Sequence, residues 1–313
     1  MQLSKEQILQ VTFGYVDMEE TEGGLRFYKC TPRQRAAFME VAPNIGKNAT
    51  APTGVRLDFH TNSAFLELDI GQEGRFDILV DGLFYYQYPI ERQQSILRLD
   101  LPEGQKRVTV LLPFRDANPV LRGVALSDGA TLTPHKYSTK FLFIGDSITQ
   151  GTRSEHDCMS YAWQTAAFFN ANCLINGVGS ADYRKTTFDV PDFDPDTVVV
   201  AYGTNDWAHF KTQEEFLEQA TYFLDRLVET YRGKRIVGIS PIWQKNHYKV
   251  RGTGTFQEHR NNLIAEFEKR GILHFDGLQA VPHHEDFFTD SLHPNDRGFA
   301  CYAQNFIKFL QNH

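Results

Sequence analysis

Along much of the first 136 residues, apolar positions recur at every second residue. In GVRLDFH, Val55, Leu57 and Phe59 alternate with polar neighbours. FLELDI puts Leu66, Leu68 and Ile70 on one face, and RFDILVDG does the same with Phe76, Ile78 and Val80. A period of two suits strands with one face on a core and the other in water. Asp81-Gly82 closes the third run with a strong hairpin-turn signal. SILRLDL and KRVTVLLP continue the pattern, and no amphipathic helix is read after the first dozen residues. Many short strands in this length predict an antiparallel β-sandwich over residues 1–136, of a jelly-roll-like kind. The polar, proline-bearing stretch ATLTPHKYSTK marks its end.

Over residues 137–313 the period changes. FLFI, at 141–144, is a continuous apolar run, which suits a strand covered on both faces. Tyr161, Thr165, Ala166 and Phe169 then fall at helical spacing, and NCLINGV and TVVVAYG read as further strands. TQEEFLEQATYFLDRLVETYRG is an amphipathic helix with Phe216, Leu217, Ala220, Phe223, Leu224 and Leu227 on one stripe, ended by Gly233. RIVGISP, TFQEHRNNLIAEFEKRG, ILHFDG and NDRGFACYAQNFIKFL follow as strand, helix, strand and helix. Strands alternating with helices predict an α/β domain, a parallel sheet with helices on both faces.

Composition narrows the functional classes. A net charge of −7 argues against a nucleic-acid partner, which needs a basic face. No stretch approaches the ~20 apolar residues of a membrane span, so no membrane partner is expected. MQLSKEQILQVTFGYV lacks the basic start and apolar core of a signal peptide. The expected location is therefore cytoplasmic, or secreted if a longer precursor is processed. Cys30, Cys158, Cys173 and Cys301 form no CxxC pair and read as reduced, buried thiols.

Chemistry gathers at the ends of the predicted parallel strands, where open α/β sheets bind ligands. The first strand ends in Gly145-Asp146-Ser147, the second in Asn176-Gly177-Val178-Gly179-Ser180 and the third in Gly203-Thr204-Asn205-Asp206. Near the chain end stands Asp290-Ser291-Leu292-His293-Pro294. A serine nucleophile needs a base, which His293 offers, and the base needs an orienting acceptor, which Asp290 offers three residues earlier. An oxyanion needs preorganised donors. The Ser147 amide, an amide of the Gly179-Ser180 turn and the Asn205 side chain are the candidates.

GDSIT, GTND and DSLHP, in this order, resemble blocks one, three and five of the SGNH (GDSL) hydrolase superfamily. The resemblance implies a flavodoxin-like three-layer domain with Ser147 as nucleophile, Asn205 as oxyanion donor, His293 as base and Asp290 as its partner. It requires no cofactor and no metal. Block two departs from the usual GxSG: the stretch is GVGS, which leaves Gly179 and Ser180 both open as amide donors. A β-domain before such a domain is also similar to the carbohydrate acetyl esterases of the acetyl-xylan esterase kind. That arrangement implies a serine esterase acting on small O-acyl groups, acetyl first, of a small-molecule or oligosaccharide ester.

Other readings stand beside these. Ser147 could serve only as a helix cap, and Asn205 only as a turn residue. Asp206 reads as a structural loop residue. His283, His284, Glu285 and Asp286 lack the spacing of a metal motif. Trp207, Trp243 and His247 follow predicted strand ends, where aromatic faces could stack on a sugar or simply pack the loops. The alternative activities are a lipase or acyl-thioesterase on longer chains, and a carbohydrate-binding protein with an inactive hydrolase fold.

Overall fold

Two antiparallel sheets are built from the N-terminal half, as the alternating pattern predicts. The computed structural model describes all residues except 72–73, 91–95 and 114–117, and it leaves out the side chains of 88–90. One sheet runs, in spatial order, Asp17–Thr21, Gly24–Tyr28, Leu121–Leu126, Phe65–Ile70 and Ile96–Asp100. The other runs Thr12–Phe13, Arg56–Thr61, Lys106–Leu111, Gly74–Val80 and Leu83–Ile90, with Thr133–Pro134 added beside Arg56–Thr61. Ser95 of the SILRLDL strand lies outside the described residues. The alternating residues meet between the sheets: Leu57, Phe59, Leu66, Leu68, Phe76 and Ile78 are all fully buried in one cluster. Asp81 and Gly82 turn the hairpin with φ of 52° and 79°, the doubly left-handed geometry that Asp-Gly favours.

Two features depart from the sequence expectation. The first is a pair of helices, Pro32–Val41 and Pro43–Thr50, inside the stretch read as strands only. Thr31 and Gln34 form a reciprocal capping box ahead of Pro32, a recognised start signal. Their apolar positions are few, so periodicity did not reveal them. Phe38, Ile45 and Ala49 bury themselves against Leu142, Leu174 and Val178 of the C-terminal half, away from the sandwich.

The second departure concerns the polar face of GVRLDFH. Arg56 and Asp58 alternate correctly, yet both are fully buried. Their face is covered by the C-terminal half instead of water. Arg56 donates to Tyr137 Oη at 2.7 Å, to the carbonyls of Gly54 at 3.1 Å and Cys173 at 3.2 Å, and to Asn172 Oδ1 at 3.0 Å. Tyr137 in turn donates to Asp58. Arg107 donates to both Asp58 oxygens, at 2.8 and 2.7 Å. Burial pushes the Asp58 carboxyl up, but the Arg107 hydrogen bonds and charge outweigh it and hold the group below its ordinary value. Buried charges persist when paired and hydrogen-bonded in this way.

The C-terminal half is a five-stranded parallel sheet in the order Ala171–Gly177, Thr139–Gly145, Thr197–Ala201, Arg235–Ile239, Leu273–Phe275. Counted from its own first strand this is 2-1-3-4-5, one of the common doubly wound orders. Helices Gln213–Thr230 and Phe256–Lys269 cover one face. Helices Tyr161–Phe168 and Asp296–Asn312 cover the other. Register matters most for the site. Gly145 pairs with Gly177 on one side and Ala201 on the other, so three strands end level and their following loops lie side by side. No helix among the described residues is long and apolar enough to cross a membrane.

Candidate active site

The serine that ends the central strand stands at the first position of a single helical turn, Ser147–Gln150, capped by Asp146. Its Oγ lies 2.9 Å from His293 Nε2. On the other edge of the ring, His293 Nδ1 lies 2.9 Å from Asp290 Oδ2 and 3.1 Å from Oδ1. A carboxylate can only accept, so Nδ1 carries the ring proton and Nε2 is left as an acceptor for the serine hydroxyl. Asp290 is held by its own loop: its Oδ1 accepts the backbone N–H of Leu292 at 2.9 Å and of His293 at 2.8 Å. Partial burial pushes the Asp290 carboxyl up. The hydrogen bonds from His293 and Leu292 outweigh it and keep the group below its ordinary value, ionised beside the imidazole. Arg153 Nε, 3.4 Å from Asp290 Oδ2, adds a positive charge on the same side.

These groups open into a cavity of about 310 Å³. Ser147, Ser180, Asn205 and His293 line it, and so do Asn48 and Gln150, two residues the sequence reading did not single out. Asn48 lies on the unforeseen helix Pro43–Thr50. The local sequence signal for that helix is Pro43 at its first position. Gln150 sits three residues after the serine, inside the GDSITQG stretch itself.

The structure separates the two block-two candidates. The Gly179 N–H donates to Gln150 Oε1 at 2.7 Å, so Gly179 is corrected as an oxyanion donor because its amide is already engaged. The Ser180 N–H meets no acceptor among the described residues, and Ser180 holds a left-handed φ of 65°. The Ser147 N–H, first of its turn, has no intrahelical acceptor. Asn205 Nδ2 gives one hydrogen to Ala181 O at 2.9 Å, and its second hydrogen remains for the cavity.

Trp207 is corrected as a sugar platform. It is 1% exposed, its Nε1 donates to Gly254 O at 2.9 Å and its ring packs edge-on against Phe256. Trp243 is half-buried, stacked on His283 with a 12° interplanar angle and packed on Phe288. His247 is exposed, next to Trp243 on the same loop. Neither lines the cavity, but their loop is tied to the loop that carries Asp290 and His293, where the Lys245 N–H donates to Ser291 O at 2.9 Å. Asp206 is buried and accepts the N–H groups of Tyr183 and Gly203, each at 2.8 Å. Burial and nearby Asp182 push its carboxyl well up. Among the described residues, Glu155, His156 and Asp296 bring ligand atoms within 4.8 Å of one another. Asp296 already accepts the Glu155 N–H at 2.8 Å.

Asp146 carries a pH-dependent expectation. Its Oδ1 caps the turn by accepting the Ile148 N–H at 2.9 Å, while its Oδ2 has no partner. Burial pushes the carboxyl up to about 7. The folded state thus holds this proton more tightly than the unfolded chain. Its stabilising contribution is complete below about pH 4 and is lost as the pH rises toward 7. Asp146→Asn keeps the cap acceptor and should flatten that part of the stability profile. Urea melts at pH 4.5 and 7.5 check this, and an unchanged difference between the two contradicts it.

The model of the GDSL-like Lipase/Acylhydrolase family matches residues 143–301, a span that holds Ser147, Asn205, Asp290 and His293. The chain belongs to this family. The family is one of lipases and acylhydrolases. Cellulase/esterase CelE of Acetivibrio thermocellus is 27% identical over 207 residues, 53% of this chain and 25% of that protein. The match thus spans a quarter of that relative's length. Among solved structures, the salicylyl-acyltransferase SsfX3 from a tetracycline biosynthetic pathway superposes with a TM-score of 0.83 at 18% identity, covering 96% of this chain and 94% of that one. A family two carbohydrate esterase from Clostridium thermocellum, in complex with cellohexaose, gives 0.69 at 16% identity, covering 96% and 98%. At such identities the likeness is one of fold, and it extends over both halves of the chain.

Proposed function

We propose that this chain hydrolyses short O-acyl esters, acetyl foremost, carried on a carbohydrate, with Ser147, His293 and Asp290 as a catalytic triad. The observation that carries the reading is one imidazole held between a serine hydroxyl and a carboxylate, each 2.9 Å from a different ring nitrogen, at the wall of an open cavity. His293 Nε2 takes the hydroxyl proton as Ser147 Oγ attacks the ester carbonyl, and Asp290 stabilises the imidazolium that forms. The Ser147 and Ser180 amides and the Asn205 side chain receive the developing oxyanion. His293 then gives its proton to the leaving sugar oxygen. Water, deprotonated by the same ring, releases the acid from the acyl-serine.

The cavity's chemistry supports a short acyl group on a polar alcohol. Leu292 is the one apolar side chain among the described residues that line it, so a long acyl chain would find little surface to bury against. The carbohydrate substrate is supported by the likeness to a carbohydrate esterase seen with cellohexaose. A jelly-roll sandwich over residues 1–136 and a flavodoxin-like domain over 137–313 belong to the same proposal, supported by the sheet orders.

The test is a hydrolysis screen of 4-nitrophenyl acetate, 4-nitrophenyl octanoate and acetylated oligosaccharides. An added alcohol serves as a competing acyl acceptor, because the acyl-enzyme is common to hydrolysis and transfer. Acetate should exceed octanoate in kcat/KM by on the order of 10-fold or more, and acetyl groups should leave the oligosaccharides. Faster octanoate turnover overturns the reading in favour of a lipase or thioesterase.

A further inference from the structure

We propose that Asn48 and Gln150 are positioning residues that clamp the Gly179–Ser180 peptide. The N-terminal half thereby supplies a working part of the oxyanion site, and is not merely a module beside it. The inference rests on the esterase reading and goes beyond it in assigning these two side chains.

The geometry of one peptide group carries the argument. Asn48 Nδ2 donates to Gly179 O at 3.0 Å. That carbonyl and the Ser180 N–H belong to the same planar peptide. In a trans peptide the two point in opposite directions. Fixing the carbonyl on the Asn48 side therefore fixes the aim of the Ser180 N–H. The preceding peptide is fixed in the same way, because the Gly179 N–H donates to Gln150 Oε1 at 2.7 Å. The surrounding backbone is tied as well. The Val178 N–H donates to Gly145 O at 2.9 Å, the Ala181 N–H donates to Val178 O at 3.0 Å, and Ala181 O accepts from Asn205. The Ser180 N–H is the amide of this turn that no acceptor holds among the described residues.

Two further observations show that the turn needs such a clamp. Ser180 holds a φ of 65°, in the left-handed region that residues with a Cβ seldom adopt. Local preference alone would not keep it there. A side chain at 179 would displace the two clamping groups. A Cβ at 179 would lie 2.6 Å from Asn48 Nδ2 and 3.0 Å from Gln150 Oε1, so the two side chains close directly on the glycine. A hydrogen bond to the Gly179 carbonyl also polarises the peptide and makes its N–H a stronger donor. Asn48 thus acts on the oxyanion site through both orientation and polarisation.

The experiment compares wild type with Asn48→Leu, which keeps the volume without the donor, with Asn48→Ala as a second variant, and with Gln150→Met. Readouts are kcat and KM on 4-nitrophenyl acetate, the thermal midpoint, and the inhibition constant of phenylboronic acid, which forms a tetrahedral adduct and fills the oxyanion site. The expected result is a fall in kcat of roughly 10- to 100-fold, smaller than or equal to that for deleting a donor outright. KM and the midpoint should stay near wild type, and boronate affinity should fall by a factor similar to kcat. Unchanged kcat in both Asn48 variants, with an active wild type, overturns the clamp and leaves the esterase reading intact. A loss of kcat with a lowered midpoint and unchanged boronate affinity overturns it as well, assigning Asn48 to fold stability alone. A wild type that hydrolyses no ester rejects the esterase reading itself, and the clamp with it.

Discussion

Ser147→Ala and His293→Ala are each expected to lower kcat for acetyl esters by on the order of 10⁴-fold or more, with the thermal midpoint near wild type. The first removes the attacking oxygen. The second leaves Ser147 without a base, because His293 Nε2 is the ring nitrogen within 2.9 Å of its Oγ. The two losses should not multiply in the double variant, since both residues serve one proton transfer. Asn205→Ala should cost less, roughly 100- to 1000-fold, because it withdraws one of several oxyanion donors and leaves the nucleophile and base intact. Initial rates on 4-nitrophenyl acetate decide this. Near-normal turnover in either Ser147→Ala or His293→Ala would remove that residue from the mechanism.

Arg56→Leu should produce the largest loss of stability. The guanidinium is fully buried where the sandwich meets the parallel sheet, and its removal leaves the Gly54 and Cys173 carbonyls, Asn172 Oδ1 and Tyr137 without their donor. Breaking a buried, hydrogen-bonded charge in this way costs roughly 3–5 kcal/mol. In a chain of this size that corresponds to a fall in thermal midpoint on the order of 10 °C. Arg226→Ala is the control. Its partner Glu229 and Arg226 itself are both largely exposed on one helix, and such pairs contribute about 0–1 kcal/mol. Equal midpoints for Arg56→Leu and wild type would show that the interface does not depend on this residue.

Much of this architecture is legible from local pattern. The strands Arg56–Thr61, Phe65–Ile70 and Gly74–Val80 announce themselves because one face meets an apolar core, and alternation records that face directly. The parallel strands read as continuous apolar runs because helices cover both sides. Ser147, Asn205, Asp290 and His293 could be singled out because each follows a strand end or sits on a short polar loop. What escaped depends on partners distant in sequence. Helices Pro32–Val41 and Pro43–Thr50 carry few apolar residues, and those few pack on strands more than 90 residues later. Arg56 and Asp58 look like solvent-facing positions, since nothing local says that a second domain covers them. Trp207 looked available beside a strand end, but its ring is enclosed by Phe256 and its N–H is satisfied by Gly254. The choice between Gly179 and Ser180 required knowing where the Gln150 side chain points.

The most direct measurement of the central claim is intact-mass and peptide analysis after treatment with a fluorophosphonate, which bonds to an activated serine oxygen with loss of fluoride. One adduct per chain is expected, on the peptide that contains Ser147, formed rapidly by wild type, slowly by His293→Ala and not at all by Ser147→Ala. Undiminished ester hydrolysis by a fully treated protein, or an adduct on a different residue that abolishes activity, would contradict it.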